Sequence, residues 1–209
     1  MKGFITVKEP ASVETVIKKS RFIGQVYPVS SMEEAQERLL SVKKKYWDAR
    51  HSCSAVIVGE GGEYTRCSDD GEPQGTAGVP MLEALKGSGL TNVLTVVTRY
   101  FGGVLLGAGG LVRAYSSSVS AVCAAAKRLE YMPCALYDLN IPFKLWGKME
   151  GGVYSCGGFF KEITYAEDIK TKILIPPESE GVLLKTVREI SSGRLEAQRQ
   201  GDEYRIAEL

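Results

Sequence analysis

The chain has 209 residues, 44% hydrophobic and 24% charged, enough for a substantial core and for one large or two small domains. Its net charge of +1 predicts neither strong nucleic-acid nor strong membrane attraction from global charge. The balance is +3 over residues 1–135 and −2 over residues 136–209, which mildly favours an anionic partner for the first half.

Cysteine usage narrows the setting. The five cysteines are an odd number and include no Cys-x-x-Cys pair, which argues against a disulfide framework or a zinc site. Lys8-Glu9-Pro10 interrupts the short apolar start, so it does not read as a signal peptide, and no segment approaches bilayer-spanning length. The expectation is a cytoplasmic protein with no membrane contact.

In chain order, residues 4–7 and 11–29 predict a strand pair or meander, with Lys18-Lys19-Ser20-Arg21 near its turn. Ser31 and Glu34 form a capping-box pattern for a helix striped by Ala35, Leu39, Val42 and Tyr46. A strand is expected over 53–59. Residues 60–75 read as a loop, with a possible short strand at 64–67. A helix is expected over 77–86, with Pro80 tolerated in its first turn. Val93–Thr98 is apolar and β-branched, the pattern of a central strand. A glycine-rich loop over 102–110 precedes a helix over 111–127.

Met132-Pro133-Cys134 reads as a linker, which gives domains at 1–133 and 134–209. The second domain predicts strand 135–141, helix 143–155, strands 159–165 and 169–175, helix 179–191 and strand 194–199. That βαββαβ order is ferredoxin-like, so the fold class is α+β.

Two motifs could carry chemistry. The first joins Gly102, Gly103, Gly107, Gly109 and Gly110 to Arg99 and Arg113. Glycines between a strand and a helix aim backbone N–H groups at an anion, and two guanidiniums suit phosphate. The segment matches neither the P-loop nor the dinucleotide fingerprint, and tight turns with close helix packing explain the same glycines. The second motif is Ser68-Asp69-Asp70-Gly71-Glu72-Pro73. Its carboxylates could serve an acid, a base or a hard cation, but local sequence favours a turn in which Asp side chains bind backbone N–H groups and Gly71 takes a positive φ. His51, the only histidine, stands two residues before Cys53 and reads as a structural or binding residue. No metal or cofactor is expected. The runs Lys18-Lys19-Ser20-Arg21 and Lys43-Lys44-Lys45 can track phosphates or form a solvated face.

These motifs carry a resemblance. Ser68 to Gly78, Asn92 to Gly103 and Leu106 to Tyr115 closely resemble the YigZ/IMPACT family, and Lys19-Ser-Arg-Phe-Ile23 and His51-Ser-Cys53 resemble two further family elements. The resemblance implies a ribosomal protein S5 domain 2-like first domain and a second domain similar to the last domain of elongation factor G. It implies a connection to translation, since eukaryotic members regulate it, but no established reaction. Family members often place an aromatic residue shortly after the His-x-Cys cysteine, where this chain has Ser54-Ala55.

The leading expectation is a non-enzymatic protein that associates with RNA or the ribosome. The alternatives are an enzyme or small-ligand binder for a phosphorylated or carboxylated metabolite, and an adaptor with a protein partner.

Overall fold

The computed structural model describes residues 1–209 and divides into two compact units, Phe4–Glu130 with Ala207–Leu209, and Tyr131–Ile206 with Met1–Gly3. Ten strands and five helices make an α+β fold.

In the first unit, β2 (Ala11–Ile17), β3 (Ser20–Pro28), β4 (His51–Val58), β5 (Tyr64–Ser68) and β6 (Val93–Tyr100) form one antiparallel sheet in the order β2-β3-β6-β4-β5. The apolar β6 lies at its centre. Side chains alternate across the sheet because strand periodicity is two. Cys53, Ala55, Ile57, Val93 and Val97 face α2 (Gly78–Gly87) and α3 (Ala108–Ala125), where Met81, Leu85, Tyr115, Val119 and Val122 complete the main core. Val56, Val58, Leu94 and Val96 pack on the other face with Ala35 and Val42 of α1 (Met32–Lys45). A side chain at Gly24 would meet Ser118 O at 2.9 Å, so glycine there lets α3 lie close on β3. The short β1 (Phe4–Val7) bonds through Ile5 O to Thr91 N.

The start of α1 differs in detail from a reciprocal capping box. Ser31 Oγ accepts from Glu34 N at 3.2 Å, but Glu34 Oε2 accepts from the N–H and hydroxyl of Ser30 rather than from Ser31 N.

In the second unit, β7 (Arg128–Ile141), α4 (Trp146–Ser155), β8 (Phe159–Tyr165), β9 (Ile169–Ile175), α5 (Glu180–Ser191) and β10 (Gln198–Glu208) follow the βαββαβ order. β10 pairs with β7, β7 with β9, and β9 with β8, the ferredoxin-like arrangement. Met149 and Val153 of α4 and Leu183 and Val187 of α5 pack on Tyr137, Leu139, Ile169 and Ile173.

Four boundaries of this unit differ from the sequence expectations. Residues 132–134 lie inside β7 rather than in a loop. Proline fixes an extended-compatible φ and biases its predecessor the same way, and a strand shares that conformation. Both helices of this unit begin with a 3-10 turn, at Phe143–Leu145 and Pro177–Ser179. The last strand starts at Gln198 rather than 194. The end of α5 holds the chain back. Gly193 N donates to Arg188 O, Leu195 N donates to Ser191 Oγ, and Ser192 and Gly193 take positive φ.

Candidate functional site

Pairing of β3, β6 and β4 sets Phe22, Arg99 and His51 in one row across the end of the sheet. Arg99 is 7% exposed. Its Nη1 donates to Glu72 Oε1 at 2.7 Å, and Tyr115 Oη donates to the same oxygen at 2.8 Å. The guanidinium also lies 5.5 Å from the Phe22 ring and 5.6 Å from the Phe101 ring. Arg99 Nε is buried and has no partner. A buried charge needs an opposite charge and hydrogen bonds to be tolerated, and Glu72 meets that need for Arg99. Burial and the neighbouring thiol and carboxylate push the Tyr115 phenol well above the usual range, so it is a neutral donor. Burial pushes the Cys53 thiol up to about 12, and its Sγ donates to Asp69 O at 2.9 Å.

The acidic motif is spent on backbone and cation contacts. Asp69 Oδ1 accepts from Ala77 N and Gly78 N, and Oδ2 from Gly75 N. The carboxylate therefore closes the loop onto the start of α2 and supplies its orphan N–H groups with an acceptor. Burial acts to raise the Asp69 pKa, but the three backbone donors outweigh it and hold the carboxyl below its ordinary value. Asp70 Oδ2 accepts from Ser52 N, and its Oδ1 pairs with Lys43 Nζ at 2.5 Å. Asp70 and Gly71 both take positive φ. His51 Nδ1 lies 2.9 Å from Asp70 O.

The glycine segment divides differently from its sequence pattern. α3 starts at Ala108, so Gly109 and Gly110 lie in its first turn rather than in a loop. Gly103 and Gly107 take positive φ. A Cβ at Gly102 would overlap Lys19 O, so this glycine lets residues 101–107 pass against the β2–β3 turn.

That segment is a ridge between two hollows. Leu106 lines one, of about 570 Å³, with Ile17, Lys18, Gly110, Arg113 and Ser117. Leu105 lines the other, of about 420 Å³, with Asp48, Arg50, His51, Arg99, Tyr100 and Phe101. Arg99 and Arg113 therefore face different hollows and do not form one clamp. Arg99 with His51 on one hand, and Arg99 with Glu72 on the other, are brought together. Phe101 is 51% and Leu105 82% exposed. Lys18, Lys19, Arg50 and Arg113 are exposed and carry no ion pair, whereas Arg21 pairs with Glu14 and lies over the Tyr100 ring at 5.3 Å. Sequence reasoning missed Asp48 and Arg50. The one signal was the Trp47-Asp-Ala-Arg50 break between α1 and β4.

Residues 18–123 match the Impact N-terminal domain model. The chain is 40% identical to the IMPACT family member YvyE of Bacillus subtilis, over 92% of this chain and 88% of that protein. It is 33% identical to the IMPACT family member YigZ of Escherichia coli, over 94% and 97%. A solved structure described as the crystal structure of a hypothetical protein matches with a TM-score of 0.62 at 32% identity, covering 95% of this chain and 97% of that one.

Proposed function

The chain belongs to the IMPACT family, and on that premise we propose that it is a non-enzymatic, translation-associated protein that binds single-stranded RNA across the ridge of residues 101–107. The observation that carries the proposal is the ridge itself. Exposed Phe101 and Leu105 stand between Lys18 and Arg113 on one side and Arg50 on the other.

Single-strand binding combines a cationic track for phosphates with apolar and aromatic surfaces for bases, each stacked base contributing about 1–3 kcal/mol. The unpaired cations fit the first role and Phe101 the second. A binding role also suits Glu72, Arg99 and Tyr115, where the carboxylate accepts from both Arg99 Nη1 and the Tyr115 hydroxyl. The translation link is drawn from the family, whose eukaryotic members the sequence motifs resemble.

Co-sedimentation with ribosomes and with single-stranded RNA at low salt tests this reading. The wild-type protein is expected to pellet with one or both, and Phe101→Ala/Leu105→Ala to pellet several-fold less while melting at an unchanged temperature. Absence of the wild-type protein from both pellets at low salt would sink the proposal.

A further inference from the structure

We propose that the hollow beside Leu105 is a pocket for one unstacked guanine base of the bound strand, an inference that rests on the RNA-binding reading above. Its volume of about 420 Å³ is within the range of small-ligand sites. Phe101 supplies a ring that is half exposed and already lies against the Arg99 guanidinium. A base can stack on it, as unstacked bases do on protein aromatics.

The polar groups select the base. The Asp70 carbonyl can only accept, so the 2.9 Å contact puts a proton on His51 Nδ1 and leaves Nε2 for a ligand. Tyr100 Oη donates to Asp48 Oδ1 at 2.8 Å, which leaves Asp48 Oδ2 for a ligand. The hollow is thus lined by the acceptor Asp48, by His51 Nε2 and by the unpaired cation Arg50. Guanine presents N1–H and an N2 amino group as adjacent donors, with O6 and N7 as acceptors suited to arginine. Adenine presents an acceptor at N1, and uracil offers a single donor.

Arg99 lines the hollow, its side chain is more than nine-tenths buried, and its Nε has no partner. Glu72 holds this guanidinium in place, so the site is organised before a ligand arrives.

Fluorescence anisotropy with a single-stranded oligouridine, and with the same strand carrying one central guanine, tests the inference. The wild-type protein is expected to bind the guanine-containing strand about tenfold more tightly, the scale of one well-formed base contact. Asp48→Asn is isosteric and sits at the surface, and it is expected to abolish that preference while leaving oligouridine affinity unchanged. Lys18→Ala/Arg113→Ala, in the other hollow, is expected to weaken both strands equally. Equal wild-type affinity for the two strands, or a preference that survives Asp48→Asn, overturns the guanine pocket and leaves RNA binding standing. Failure to bind either strand overturns both.

Discussion

Arg99 Nη1 lies 2.7 Å from Glu72 Oε1 with both side chains buried, 8% and 3% exposed. The pair joins β6 to the loop after β5 beneath the 101–107 ridge. Removing one partner of such a pair leaves a charge buried and uncompensated, at about 3–5 kcal/mol. Glu72→Ala is therefore expected to lose about that much stability in urea unfolding. Tyr115→Phe, which removes one hydrogen bond to the charged carboxylate, is expected to lose about 1.5–3 kcal/mol. If Glu72→Ala unfolds at the wild-type midpoint, the pair does not hold the site together.

Asp69 gives a pH prediction. Its folded-state pKa is held below the unfolded value, so its contribution to stability is fully present above about pH 4, the unfolded carboxylate value, and is lost as pH falls through the lower folded value. Asp69→Asn is expected to destabilise the protein at pH 7 by about 1 kcal/mol, the usual worth of a capping acceptor. The gap between wild type and variant should narrow below pH 4. Thermal melts from pH 2.5 to 7 measure it, and a constant gap across that range would contradict the assignment.

Cysteine reactivity reports the same region. Cys53 is fully buried, its thiol is pushed up to about 12, and its Sγ is bonded to Asp69 O. Thiolate is the reactive form. Cys53 is expected to resist iodoacetamide at pH 8 in the folded protein and to react once urea unfolds it. Peptide mapping by mass spectrometry reads this, and rapid labelling of native Cys53 would show that the region opens.

The local features of the chain were readable wherever local rules decide them. The apolar, β-branched run of the central β6, the cap at Ser31 and the βαββαβ order of the second unit follow from composition, periodicity and turn chemistry. The site was less legible because its defining contacts are long-range. Nothing local in Arg99 says that Glu72, twenty-seven residues earlier, will neutralise it, or that Arg99 and Arg113 will line different hollows. Gly109 and Gly110 suggested a loop, but α3 starts at Ala108, since glycine costs a first helical turn less than the packing of Leu111, Ala114 and Tyr115 returns. Pro133 read as a break because the conformation it favours is shared by linkers and strands. The family motifs carried the fold across these gaps, and the geometry of the hollows had to come from the structure.

If the unpaired cations flanking the 101–107 ridge bind RNA phosphates, binding must depend on salt through them. Each phosphate neutralised contributes about 0.7 to the slope of log K against log salt for single strands. Anisotropy titrations from 25 to 200 mM salt should show wild-type binding to a single-stranded oligonucleotide. Lys18→Ala/Arg50→Ala/Arg113→Ala should bind more weakly, with a slope shallower by about 2, the sum for three lost contacts. An unchanged slope in the triple variant, or no wild-type binding at 25 mM salt, would show that these cations do not hold RNA.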